Sequence, residues 1–88
     1  MAKDFKLTVL SPEKKLYEGE VISLVVPAAL GYLGVLADHA PLVASLSRGK
    51  IMIKDTRGES VIFPVQTKGF LEVKNNNVTI ILDRLSIC

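Results

Sequence analysis

One cysteine and one histidine in 88 residues leave little reactive chemistry to distribute. The cysteine, Cys88, is the last residue, where it reads as a free terminal thiol with no redox or ligand role, in keeping with a reducing compartment. The histidine, His39, follows Asp38, but neighbours on an extended chain point apart, so they do not form an acid–base pair. A structural or interface role is expected for His39. No spaced set of His, Cys, Asp and Glu suggests a metal, no serine sits in a nucleophile elbow, and no phosphate-binding loop ending in Gly-Lys-Ser/Thr occurs. The expectation is a chain with no catalytic residues, no cofactor and no metal.

Charge of one sign is also scarce. Eleven basic residues against nine acidic give a net charge of +2, and Lys14-Lys15 is the only adjacent basic pair, so a nucleic-acid footprint is not expected. Gly31-Tyr32-Leu33-Gly34 has the GxxG form of a KH-domain loop, but Val and Leu runs flank it where that domain needs helices and basic residues. Long apolar runs are missing too: none approaches the roughly 20 residues of a membrane span, and the N-terminus lacks the charged-then-apolar layout of a signal peptide. The chain reads as soluble.

What the sequence does have is apolar residues, 49% of the total, cut into short runs by Gly, Pro, Asp and Asn every eight to twelve positions. That rhythm belongs to strands. The runs are 5–10, 15–18, 21–26, 33–36, 42–46, 50–54, 60–65, 69–73 and 78–82. Nine or ten such strands in one small domain, residues 1–88, predict an all-β fold: a two-sheet antiparallel sandwich or a flattened barrel. Ser11-Pro12-Glu13 reads as a turn between strands, and Asp55-Thr56-Arg57-Gly58 and Lys74-Asn75-Asn76-Asn77 read as hairpin connections. A body this small buries only about 60 to 65% of its unfolded surface, so so apolar a chain should keep apolar groups outside, as a subunit would.

The last hairpin can be read more sharply. If 74–77 is the loop, Val73 pairs with Val78, Glu72 with Thr79, Leu71 with Ile80 and Phe70 with Ile81, and the two-residue period sorts them by face. Leu71, Val73, Val78, Ile80 and Leu82 form a wholly apolar side, the core side. Phe70, Glu72, Thr79 and Ile81 form a mixed side, which reads either as a protein interface or as a solvated sheet surface. The segment Ala28-Ala29-Leu30-Gly31-Tyr32 carries no charge, and reads as a loop that is either docked or folded back.

Residues 31–42, Gly31-Tyr32-Leu33-Gly34-Val35-Leu36-Ala37-Asp38-His39-Ala40-Pro41-Leu42, taken with Ser11-Pro12-Glu13 and Lys68-Gly69-Phe70-Leu71-Glu72-Val73, closely resemble the epsilon subunit of F-type ATP synthases. The resemblance runs from about Phe5 to Leu82. It implies an N-terminal ten-stranded sandwich that is a rotor component and not an enzyme, linking the gamma subunit to the c-ring and so coupling ion flow to ATP synthesis. The positions matching the gamma-binding set are Ser11, His39, Ala44, Thr67, Glu72 and Thr79. Those matching the ring-facing loop are Ala28, Ala29, Leu30, Gly31 and Tyr32, with Tyr32 standing where the family has an acidic residue. The resemblance further implies a peripheral location on the cytoplasmic face of a bacterial inner membrane. The family's usual C-terminal helical pair has no counterpart in these 88 residues, so inhibition of hydrolysis by those helices is not expected; either the subunit is short by nature, which the Leu-Ser-Ile-Cys ending mildly favours, or the helices are encoded elsewhere or have been removed. The rival readings are a stand-alone small β-barrel that binds nucleic acid or peptide, and, with less to support it, an enzyme domain.

Overall fold

A computed structural model describes residues 3–66 and 68–83. These form eight strands and no helix: β1 (Phe5–Leu10), β2 (Lys15–Ala28), β3 (Gly31–Val35), β4 (Leu42–Leu46), β5 (Gly49–Asp55), β6 (Ser60–Val65), β7 (Gly69–Lys74) and β8 (Asn77–Leu82). The count falls one short of the nine expected runs because 15–18 and 21–26 are a single strand of 14 residues. Gly19 and Glu20 do not break it, since β1 runs alongside and pairs Leu7 with Gly19 and Lys6 with Glu20. Tertiary pairing here overrides a local break signal.

β2 is the strand around which the others are arranged. Its first half pairs with β1, its second half with β3 along the same edge, and β5 and then β4 lie along the other edge. Between Val21 and Ser23 the ladder with β5 slips by one residue. The extra residue changes the phase of the strand, so that Val21 points inward before it and Leu24 and Val26 point inward after it. β2 can thereby serve two layers. One layer runs β4, β7, β8, β1 and the first half of β2; the other holds β3, the second half of β2, β5 and β6.

The hydrogen-bonded order β1-β8-β7-β4-β2, with β1 returning to β2, closes a ring, so the flattened barrel describes the fold better than two separate sheets. Nor are all pairings antiparallel: β1 runs parallel to β8, with Leu7 beside Val78 and Val9 beside Ile80. No short turn joins those two strands, so nothing local forces them to oppose each other. Inward residues from both layers meet in one core of Leu, Ile and Val with Phe5, and no polar side chain is buried among the described residues. Tyr17 and Phe63 meet edge to face at its margin, their ring centroids 6.1 Å apart.

Candidate docking face and end hairpin

The outward side of the first layer can be assembled row by row from strand register. One row crosses Ser45, Phe70, Ile81 and Leu10; the next crosses Val43, Glu72, Thr79, Thr8 and Glu18; a third crosses Lys74, Asn77, Lys6 and Glu20. The face is thus apolar at one end, mixed in the middle and charged at the other. Phe70, Ile81 and Val43 are 54%, 49% and 71% exposed, a substantial apolar area for one face of a small domain. The pairings read from the last hairpin all occur, and Leu71, Val73, Val78, Ile80 and Leu82 are buried as expected.

Glu72 sits in the middle row between Val43 and Thr79, exposed and without an ion pair among the described residues. Lys6 and Lys15, the cations toward the β1–β2 side of the face, are engaged with Glu18. Glu18 is bound by Lys15 at 2.8 Å and Lys6 at 3.2 Å, and these two ammonium groups, Lys15 first, hold its carboxyl below the usual range. An unpaired carboxylate flanked by an apolar and a hydroxyl side chain offers a partner one directional contact within a patch that otherwise supplies shape and apolar area.

Thr79 is half-buried beside Glu72, and the two share the outward face. Ala44 does not join them: it lies on the inward side of β4, opposite Leu71, and packs against the core. Its neighbours Val43 and Ser45 hold the outward positions. Ser11 closes the turn after β1, its hydroxyl accepting from the Lys14 N–H at 3.2 Å and its own N–H donating to the Lys14 carbonyl at 2.9 Å. That end of the face also carries Ile81, the register partner of Leu10.

His39 lies at the other end, half-buried in the β3–β4 connection, with Nδ1 2.8 Å from the Ala40 carbonyl. Asp38 turns away from it. The Asp38 carboxylate accepts from Lys3 at 2.8 Å and from the Asn76 amide at 3.0 Å, and its own N–H donates to Asn76 Oδ1 at 2.6 Å. Lys3 and Asn76 hold the Asp38 carboxyl below the ordinary range. Asp38 therefore ties two turns together and is not poised against an imidazole. Thr67 lies outside the described residues.

Residues 28–32 are not a free loop. Ala28 ends β2, Ala29-Leu30 is a two-residue turn, and Gly31 and Tyr32 begin β3. The hairpin is fastened from below: the Ala29 N–H donates to the Ser45 carbonyl at 3.1 Å, and the Tyr32 hydroxyl accepts from the Lys50 N–H at 3.3 Å. Gly31 takes φ 131°, a conformation that side chains seldom adopt. Leu30 stands fully exposed at the tip, and with its uncharged neighbours makes the tip an apolar contact point held on a braced hairpin.

Sequence reading missed the contributions of Lys6, Thr8, Leu10 and Val43 to the face. The alternation in Leu42–Leu46 puts Val43 outward, but only the pairing of β4 with β7 and of β1 with β8 brings these side chains beside Glu72 and Thr79. Among the described residues no group of His, Cys, Asp and Glu could hold a metal ion.

Comparison with known proteins agrees with this architecture. The family model described as the ATP synthase, Delta/Epsilon chain, beta-sandwich domain matches residues 4–86. An ATP synthase epsilon chain of Leptospira borgpetersenii is 48% identical over 82 residues, covering 93% of this chain and 63% of the relative. The chain therefore spans somewhat under two thirds of the length of the curated relatives it matches. Among solved structures, a chain of the Euglena gracilis mitochondrial ATP synthase, determined with OSCP, F1 and c-ring, superposes with TM-score 0.83 at 23% identity, over 90% of this chain and 50% of that one. A chain of the Tetrahymena thermophila mitochondrial ATP synthase central stalk and c-ring gives TM-score 0.74 at 17% identity, over 93% and 65%. At these identities the two structures speak to the fold.

Proposed function

The chain belongs to the ATP synthase delta/epsilon β-sandwich family, and from that membership we propose that it is a non-catalytic rotor subunit of an F-type ATP synthase, a single sandwich domain that joins gamma to the c-ring. The outward face of β4, β7, β8 and β1 binds gamma through Glu72, Thr79 and the apolar groups beside them, with Ser11 and His39 at its two ends and Thr67 in the same set, while Ala44, on the inward side of β4, supports the face from beneath. The hairpin tip Ala28, Ala29, Leu30, Gly31 and Tyr32 rests on the ring. Gamma, this subunit and the ring then turn as one body, and ion flow becomes torque without a bond being made by this chain. The subunit is peripheral to the membrane, on the cytoplasmic face of a bacterial inner membrane.

The observation that carries the reading is the Glu72 carboxylate, without an ion pair among the described residues, set among exposed Val43, Phe70 and Ile81. Stiffness is the physical requirement of a coupling part, and a close-packed aliphatic core sharing one strand between layers supplies it. A nucleic-acid module finds no support on this face, where Glu18, Glu20 and Glu72 offset Lys6 and Lys74.

The decisive experiment is co-purification with gamma and the c-ring from solubilised membranes. Wild-type protein should be retained with both. Glu72→Lys should weaken binding to purified gamma by roughly tenfold or more, because it puts the wrong charge at a contact that partner binding desolvates. Leu30→Asp should leave gamma binding intact and loosen attachment to the ring. An unchanged gamma affinity for Glu72→Lys would remove this face from the proposal.

A further inference from the structure

The stretch Val21–Ala37 contains no charged residue, and it includes β3, whose outer edge meets no other strand among the described residues. Edge strands in natural proteins are commonly protected by a lysine, a proline or a bulge. The edge strand β6 has Pro64 near its end, whereas β3 has none of these devices.

Which backbone groups β3 presents can be deduced. The Pro27 carbonyl accepts from the Ser47 N–H at 2.7 Å, on the edge of β2 away from β3. In an antiparallel ladder a residue's N–H and C=O point the same way, so the pair Pro27–Tyr32 is not hydrogen-bonded and Tyr32 directs both groups outward. Two residues on, Gly34 does the same, while Leu33 bonds back to β2.

We propose that two copies of this chain pair antiparallel through their β3 edges, with Leu33 opposite Leu33 of the second copy on the two-fold axis. In that register Tyr32 and Gly34 of one copy face Gly34 and Tyr32 of the other, and the four residues exchange four backbone hydrogen bonds. Tyr32 and Gly34 share the outward side of β3, and Leu30 just before the strand and Leu36 just after it are exposed as well, by 103% and 63%. Leu36 of each copy comes toward Leu30 of the other, and Gly34, where no atom lies within 4 Å of the place a Cβ would occupy, leaves the edge open to the incoming backbone, while the Tyr32 ring lies over Pro27 toward Gly49 and Lys50, clear of the seam. With no charge on either edge, two copies meet without repulsion.

A five-residue edge buries well under the roughly 1,200 Å² of a durable interface, so the dimer is a weak one whose population follows concentration. It uses Leu30, so on the functional reading above it would cover the ring-facing tip of the unassembled subunit; the dimer itself does not depend on that reading.

Sedimentation of the 88-residue chain from about 10 µM to about 1 mM should pass from monomer to dimer. Over the same range, hydrogen exchange followed by NMR should show the Tyr32 and Gly34 amides gaining protection at least severalfold while the Leu33 amide does not change. Gly34→Lys fills open space within the monomer, so it should leave thermal stability intact and weaken dimerisation by roughly tenfold or more. A chain monomeric throughout overturns the proposal and leaves the edge to an extended segment of a different protein. A dimer indifferent to Gly34→Lys, with no concentration-dependent protection at Tyr32 and Gly34, overturns it by locating the contact elsewhere.

Discussion

Asp55 ends β5 with one carboxylate oxygen accepting from two backbone N–H groups, those of Arg57 and Glu59, each at 2.9 Å. The Glu59 N–H, with further help from Arg57, keeps its carboxyl below the ordinary range. Because the folded-state pKa lies below the unfolded one, the stabilising contribution is complete above the unfolded value of about 3.9 and is lost as pH falls through the folded value. Asp38 and Glu18 are depressed too and carry the same sign. Thermal midpoints should therefore stay level from about pH 7 to pH 5 and fall below about pH 4, and Asp55→Asn should flatten part of that fall. Asp55→Ala should lower the midpoint by several degrees at neutral pH, since two turn donors lose their acceptor. Gly69 gives a second residue-scale prediction of a steric kind. A Cβ there would lie 2.6 Å from the Ile81 carbonyl oxygen, a backbone atom that cannot swing aside, so Gly69→Ala should cost about 1–3 kcal/mol in denaturant unfolding.

At the scale of elements, the β7–β8 hairpin was the most legible part of the chain, because its loop chemistry and its alternation agree. Asn75 and Asn76 take φ of 51° and 59°, as a two-residue type I′ turn requires, and asparagine tolerates that conformation better than other residues with a Cβ. Asn75→Ala should cost about 1 kcal/mol, and Asn75→Gly should cost nothing or stabilise, measured by urea unfolding. Asn76→Gly should be the worse of the two glycine changes, because Asn76 also holds Asp38. Other elements were legible only in part. The bulge after Val21 left no mark in composition, and the merger of two expected strands into β2 depended on β1, a separate strand that supplies the pairing across Gly19. The same limit applied to the docking face. Phe70, Glu72, Thr79 and Ile81 could be placed from one hairpin, whereas Leu10, Thr8 and Val43 join them through β1–β8 and β4–β7, contacts between segments with no short turn to announce them. Ala44 shows the complementary limit: its match to the resemblance is a matter of position along the chain, and the two-residue period of β4 turns its side chain to the core.

For the molecule as a whole, the consequence of β2 lies in cooperativity. Two layers joined only by loops could loosen separately, but here one strand supplies inward residues to both, Val21 near the crossing and Leu24 and Val26 beyond it. The ring of pairings through β1, β8, β7 and β4 returns to that same strand. Neither layer can release its core face without exposing the other's, so the domain should unfold in a single transition. Leu24 and Leu71 are both fully buried, one on the second half of β2 and one on β7. Truncating either to alanine should cost about 2–5 kcal/mol. The distinguishing measurement is where that loss registers. Native-state hydrogen exchange should show Leu24→Ala lowering protection in β7 and β8 as much as in β5 and β6, and Leu71→Ala doing the same in reverse. If each substitution loosened only its own layer, the domain would be two hinged plates. Such a body would yield under torsion between a partner on its face and a partner at its tip, and the proposed coupling role would lose the rigidity on which it depends.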